Sequence, residues 1–346
     1  MSGDNSSTLV AVTGASGFIG LHCVLALLEE GYRVRGTVRD LARQASLRQA
    51  LEKHVEIGDS LEFRAAELTR DEGWAEAFTE CAYVLHVASP IPRAVPKHED
   101  DLIVPARDGA LRVLAAANEA GVRRVVLTSS MAAVKNGHSH AESYLYSEKD
   151  WSNLDKALPP YVKSKTIAER AAWDYMAGLP DDSALELAVI NPGMVYGPIL
   201  EADYGTSGEV VRKLMRRELP GLPKLGWGSV DVRDVAQAHV KAMAVPAAAG
   251  QRFCCVAEPV WMTDVARILN KNFAARGYKV PTRTMPNFVV RLVSLFDKPV
   301  RLILYELDNL AQIDNSRIKS VLDWQPRGVE EMVTSMGESM IEHKVV

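Results

Sequence analysis

The sequence predicts an α/β fold: a doubly wound parallel sheet with a smaller, mostly helical second part. Three observations point there. Short apolar runs alternate with helical patterns through the first half, and strands alternating with helices build parallel sheets. The runs are continuously apolar, as strands buried on both faces are. A glycine-rich turn joins the first run to the first helical pattern.

The elements follow in order. Residues 9–12 (Leu-Val-Ala-Val) read as a buried strand. Residues 18–30 read as a helix with Ile19, Cys23, Ala26 and Leu27 on one face, stopped at Gly31. Strands are predicted over 33–38, 61–65, 83–87, 124–128 and 185–190, and helices over 74–80, 111–120 (closed by Gly121) and 161–176. After Gly197 the rhythm changes. Pro198, Gly205, Pro220, Gly221, Pro223, Gly226 and Gly228 predict loops, and 262–276 and 329–343 read as helices. Residues 252–256 form one further apolar strand, expected to return to the sheet.

Composition excludes several classes. The chain has 346 residues, 47% hydrophobic and 24% charged, which suits a folded core rather than disorder. A net charge of -4 offers no basic surface for nucleic acid. Of the 4 cysteines, Cys254 and Cys255 are adjacent and Cys23 and Cys81 stand alone, so no CxxC motif exists. Reduced thiols in a cytoplasmic protein are expected. Residues 1–8 are polar and lack a secretory pattern. No 18-residue apolar run suggests a membrane span. The nearest stretch, 288–304, is interrupted by Arg291, Asp297, Lys298, Pro299 and Arg301. It predicts an amphipathic helix pair packed in the second part rather than a helix lying on a membrane. His138 and His140 flank Ser139 without further Cys/His neighbours, which fits a solvated loop and no metal.

The first turn reads Val12-Thr13-Gly14-Ala15-Ser16-Gly17-Phe18-Ile19-Gly20. Gly14 permits the tight turn, Gly17 a close backbone approach, and Gly20 close helix–sheet packing. Gly14, Ser16, Gly17, Phe18, Ile19 and Gly20 would present the backbone N–H groups and positive helix end that a pyrophosphate needs. This strand–turn–helix context marks a dinucleotide site on a Rossmann-type doubly wound parallel sheet. Nineteen positions past Gly20 stands Arg39, followed by Asp40. An Arg there accommodates the 2′-phosphate of NADP, whereas an acid takes the 2′-OH of NAD. Asp40 is equally read as a helix N-cap, and Arg39 as surface charge. Arg43, one turn on, would add charge at the same place.

Tyr161-Val162-Lys163-Ser164-Lys165 places Tyr161 and Lys165 at i and i+4, on one helix face. A neighbouring ammonium would lower the phenol's pKa and make Tyr161 a proton donor near neutrality. Ser130 ends the strand 124–128 at the sheet's carboxyl edge, where open parallel sheets bind ligands, and would hydrogen-bond a carbonyl. Ser129 and Ser130 are alternatively capping residues.

On VTGASGFIG, TVRD at 37–40, HVASP at 86–90, LTSS at 127–130, YVKSK at 161–165, NPGMVYGP at 191–198 and VDVRDVAQAH at 230–239, the chain resembles the extended short-chain dehydrogenases/reductases. The resemblance spans nearly the whole chain and is to their dihydroflavonol reductase / cinnamoyl-CoA reductase / aldehyde reductase branch. It implies an NADP(H)-dependent carbonyl reductase with Ser130, Tyr161 and Lys165 as the catalytic set. Further cofactor contacts are implied at Glu67, Leu68, Val87, Ala88, Ser89, Ser129, Pro192, Gly193, Val195 and Ser207. The cofactor domain would be 1–192 with returning segments near 229–257, and a discontinuous substrate domain 193–228 and 258–346. Departures narrow this reading. Glu67 stands where the family has Asp. Lys135 stands where plant flavonoid enzymes carry Asn, and the NWYCY block of cinnamoyl-CoA reductases is absent. Bare aldehyde or ketone reduction remains, in a monomer or homodimer whose only other partner is a small-molecule carbonyl substrate.

The pocket is expected near Ser89, Ile91, Ser130, Met194 and Trp227, with Trp261 and Trp324 as core or pocket anchors. His86 and His239 are expected to be packed and hydrogen-bonded, and Arg233-Asp234 to pair structurally. An NAD-dependent sugar-nucleotide epimerase/dehydratase or a hydroxysteroid dehydrogenase is the rival on this scaffold; Arg39 argues against it. A cofactor-sensing regulator would tend to lose Tyr161 or Lys165.

Overall fold

The computed structural model describes residues 5–90, 96–139 and 143–346. Ile91 and His140, singled out above, lie outside them. The first half alternates as its pattern dictates: β1 (Leu9–Thr13), α1 (Phe18–Glu29), β2 (Arg33–Val38), α2 (Gln44–Glu52), β3 (Leu61–Ala65), α3 (Trp74–Phe78), β4 (Tyr83–His86), α4 (Asp100–Glu119) and β5 (Arg124–Thr128). A short β6 (Leu145–Tyr146) precedes α5 (Pro160–Ala177) and β7 (Glu186–Pro192). The chain continues through β8 (Met194–Tyr196), α6 (Gly205–Met215), β9 (Gly226–Asp231), α7 (Val232–Ala244) and β10 (Arg252–Cys255). Then come β11 (Glu258–Trp261), α8 (Met262–Phe273), α9 (Asn287–Val293), α10 (Lys298–Leu302), β12 (Gln312–Ile313), α11 (Ser316–Leu322) and α12 (Val329–Glu342).

Seven strands form one sheet in the order β10-β7-β5-β4-β1-β2-β3, every pair parallel. The order reverses between β1 and β4, so the carboxyl ends of β1, β4 and β5 open onto one crevice, where such sheets bind ligands. β1 and β5 are buried throughout, as is most of α1. The expected strand 252–256 does return, pairing with β7 from Arg252↔Val189 to Cys255↔Pro192.

Three expectations change. The glycine- and proline-rich region beyond Gly197 is not merely loop. Gly205 opens α6, and Gly226 and Gly228 lie inside β9, the centre of a second sheet ordered β11-β9-β8. Neighbouring side chains occupy the space a Cβ would take: Leu310 and Trp261 against Gly226, and Val256 against Gly228. α4 begins well before residue 111, because Pro105 sits in its second turn, where proline forfeits a single intrahelical bond, and Asp100 and Asp101 favour the helix start. The stretch 288–304 does form the two helices α9 and α10, and Val290 is buried, but large apolar side chains on α9 and in the turn between the helices are not packed away. Phe296 is 88% and Phe288 72% exposed.

Arg233 and Asp234 do not pair with each other, since consecutive helical residues diverge. Arg233 binds Asp231 at 2.7 Å and Glu331 at 3.1 Å, while Asp234 binds Arg327. Trp324 is core, its indole N–H donating to Asp234 O at 2.9 Å. All four cysteines are buried free thiols. Among the described residues no helix is long and apolar enough to cross a membrane, and no His/Cys/Asp/Glu group could hold a metal.

Candidate active site

The turn after β1 is built from close contacts. Gly14 has φ +67° and its missing Cβ would come within 3.1 Å of Ala88. A Cβ on Gly20 would reach Gly14 O at 2.1 Å, so only glycine lets α1 lie this near the turn. No side chain caps the N-terminus of α1. Its leading N–H groups and the positive helix end are therefore available to an anion. Thr13 Oγ accepts from Ala88 N at 3.0 Å and meets His86 Nδ1 at 2.8 Å, which ties the ends of β1 and β4 together beneath the turn. Val87, Ala88 and Ser89 line this edge, half-buried.

At the end of β2 the two candidate readers separate. Asp40 caps the next turn, its Oδ1 accepting from Ala42 N at 2.9 Å. Arg39 is exposed and has no ion pair among the described residues. Arg43 is instead drawn to Glu201, beyond β8. Its expected contribution to the same charge site is thus diverted by a closer carboxylate. Glu67 is half-buried and pairs with Arg70 at 3.7 Å, beside Leu68 at the end of β3.

Ser130 and α5 meet at the end of β5. Ser130 is half-buried, and its Oγ accepts from Ala132 N at 3.1 Å, so it acts as a cap while facing the cleft. Tyr161 is 40% exposed as a residue. Its hydroxyl sits deep: burial holds the phenol above its usual pKa, and the facing Ser130 hydroxyl pulls the other way. The expected lowering by Lys165 is not what governs this phenol; burial raises it and the Ser130 hydroxyl alone opposes that rise. Lys165 is 7% exposed, and burial brings its ammonium down to about 8, opposed by the carboxylate of Glu169.

Several contributors were not foreseen. Glu169, one turn beyond Lys165, accepts hydrogen bonds from Ser129 Oγ (2.5 Å), Asn191 Nδ2 (2.8 Å) and Arg252 Nε (2.5 Å). Lys135 binds both carboxylate oxygens of Glu306 at 2.8 Å. That pair fastens the segment after Ser130 to the turn carrying Tyr305. The Tyr305 phenol is held up by burial, by Glu306 and by nearby Tyr161. The i+4 spacing was a signal for Glu169; nothing in the sequence announced the contact from 135 to 306.

Pro192, Gly193 and Val195 follow β7 into β8. Ser207 Oγ accepts from Val195 N at 3.2 Å, so α6 returns its first turn to that strand. Met194 and Trp227 pack beside it, half-buried. His86 and His239 are buried and hydrogen-bonded, His239 to Thr128 Oγ at 2.6 Å and Val235 O at 2.7 Å. His138 lies within 2.8 Å of Trp151 O.

Residues 10–254 match the model of the NAD dependent epimerase/dehydratase family. The chain belongs to this family. Similar relatives include an anthocyanidin reductase of Vitis vinifera, 34% identical over 78% of this chain and 82% of the relative. The NADPH-dependent methylglyoxal reductase GRE2 of Saccharomyces cerevisiae is 33% identical over 79% and 84%. A solved structure of yeast methylglyoxal/isovaleraldehyde reductase Gre2 complexed with NADPH superposes with a TM-score of 0.81 at 28% identity. It covers 97% of this chain and 99% of that one.

Proposed function

We propose that this chain is an NADPH-dependent reductase of aldehydes or ketones. The observation that carries the reading is the convergence of Ser130, Tyr161 and Lys165 at the carboxyl edge of the sheet, beside an uncapped glycine turn. Arg39, exposed and without an ion pair among the described residues, would select NADP over NAD. The names of relatives, an anthocyanidin reductase, a cinnamoyl-CoA reductase of Medicago truncatula and an NADPH-dependent methylglyoxal reductase, support it.

The residues fit the cofactor. Gly14, Ser16, Gly17, Phe18, Ile19 and Gly20 would hold the diphosphate, and Arg39 the 2′-phosphate. Glu67 and Leu68 would border the adenine. Val87, Ala88, Ser89 and Ser129 would follow its ribose side, and Pro192, Gly193, Val195 and Ser207 the nicotinamide half. Residues 1–192 with 229–257 would form the cofactor domain, and 193–228 with 258–346 the substrate domain. When bound, NADPH supplies the hydride.

The chain's own residues supply the rest. Ser130 Oγ donates a hydrogen bond that polarises the carbonyl. Tyr161 Oη gives its proton to the carbonyl oxygen as the alcohol forms. A phenol held above its usual pKa is fully protonated at neutral pH, so the donor is loaded. The Lys165 ammonium stabilises the tyrosinate left behind.

The test is NADPH consumption across a panel of aldehydes, ketones, flavanones and nucleotide sugars. Oxidation with small or aromatic carbonyl compounds is expected. Turnover of a nucleotide sugar alone, without net NADPH loss, would overturn the reading in favour of an epimerase or dehydratase.

A further inference from the structure

Glu169 is 1% exposed, and its whole contact set is internal. It accepts hydrogen bonds from three elements: Ser129 after β5, Asn191 on β7 and Arg252 on β10. Asn191 Nδ2 also donates to Ser130 O at 3.2 Å. The carboxylate is therefore joined on both sides to the backbone that presents the catalytic serine. On its own helix it stands four residues from Lys165, on the same face. A cavity of about 20 Å³ lies where they meet, lined by His86, Ser89, Thr128, Ser129, Lys165 and Glu169. That is room for a single water among several polar partners. A buried ion pair is weak evidence for stability by itself, so a carboxylate kept here invites a role in the site.

We infer that Glu169 is a positioning residue of the active site: through Ser129 and Asn191 it fixes the strand end bearing Ser130, and across a water-sized cavity it supplies the counter-charge of Lys165. This rests on the roles given to Ser130, Tyr161 and Lys165 under the proposed function. The charged and titratable groups around the cavity are few. Tyr161 and Glu169 share α5 with Lys165. His86 on β4 is neutral, its pKa brought down to about 3 by burial and by Lys165. Arg252 on β10 neutralises Glu169 from the far side, with Glu148 and Arg317 beyond it, 3.7 Å apart. Among these, Glu169 is the anion that raises Lys165 against the effect of burial.

The experiment is the pH profile of kcat for carbonyl reduction, in wild type and in Glu169→Gln. Removing the negative charge should pull the basic limb to lower pH by about one unit, because a nearby opposite charge is what favours the ammonium. Glu169→Gln leaves Arg252 as an uncompensated buried charge. A double variant, Glu169→Gln with Arg252→Gln, is therefore made beside it and read the same way. Glu169→Asp keeps the charge and should return the limb to within ~0.3 unit of wild type. If the neutral variants lower kcat equally at every pH, with the limb unmoved, Glu169 is a structural ion-pair partner and the inference is overturned. Tyr161→Phe is run in the same series. Normal turnover in that variant would overturn the catalytic assignment itself, a result separable from an unmoved limb in a chain that needs Tyr161.

Discussion

Replacing Arg39 by Ala should convert a cofactor preference into near indifference. Arg39 ends β2, exposed and without an ion pair among the described residues. Arg43, one turn on, is held by Glu201. Under the proposed function, one guanidinium is then left to read the 2′-phosphate. A charge-assisted hydrogen bond contributes about 1.5–3 kcal/mol. Exposure and salt screening move a surface contact to the lower end of that range. About 1.5 kcal/mol is roughly tenfold in affinity. Wild type should bind NADPH roughly tenfold more tightly than NADH, and Arg39→Ala should lose that factor for NADPH while NADH affinity stays put. Arg43→Ala, by the same reasoning, should leave the preference within about twofold. Both cofactors are titrated by fluorescence at fixed ionic strength. Equal wild-type affinities, or an Arg39 variant that loses NADH as much as NADPH, would refute the argument. A large effect of Arg43→Ala would show that the Glu201 contact yields when the phosphate binds.

Three further outcomes follow from the geometry. Tyr161→Phe removes the proton but keeps the ring, so kcat should fall by ~10²-fold or more with NADPH affinity retained, the usual scale of general acid catalysis; near-normal turnover sinks the assignment. Breaking the Lys135–Glu306 pair with Glu306→Gln should release Tyr305, whose phenol lies near Tyr161, and raise KM for the carbonyl substrate, leaving kcat and NADPH affinity close to wild type; an unchanged KM would show that Tyr305 takes no part in holding substrate. Stability should fall on acidification. His22, His86 and His239 are buried and neutral, with pKa brought down from 6.5 to about 4, 3 and 4. The unfolded chain protonates them first, so their contribution is complete above pH 6.5 and is lost progressively as pH falls toward those folded values. Each costs up to about 1.4 kcal/mol per pH unit in that window. A melting temperature that is flat between about pH 7 and 5 would contradict this linkage.

The legible parts of this fold share one property: their cause is local. β1 and the Val125–Leu127 centre of β5 are apolar runs, β2 and β3 intersperse apolar with charged residues between turn residues, and the structure places all four where the pattern did. The glycine turn was legible because a phosphate-binding geometry forces glycine at fixed spacing, visible again in the 2.1 Å clash a Cβ at Gly20 would make. Where cause was distant, reading failed. Gly226 and Gly228 read as breakers because their compensating neighbours, Leu310, Trp261 and Val256, are remote or out of pattern. The apolar residues of α9 and α10 read as core because amphipathicity reports a face, not whether anything covers it.

The same limit explains the site. Tyr161 and Lys165 were legible together because i and i+4 define one helix face. Glu169 extends that face by another turn, and on an exposed helix a Lys and a Glu so spaced would be an ordinary solvated pair. What changes the meaning is the sheet beneath. β5, β7 and β10 bring Ser129, Asn191 and Arg252 against the carboxylate and close it off from bulk solvent. Burial then acts in opposite senses on neighbouring groups. It raises the Tyr161 phenol and lowers the Lys165 ammonium, so that each drifts toward its neutral form. A proton donor tolerates this drift and a counter-cation does not. The carboxylate is thus required on the lysine side of the cleft, which is where the structure puts it.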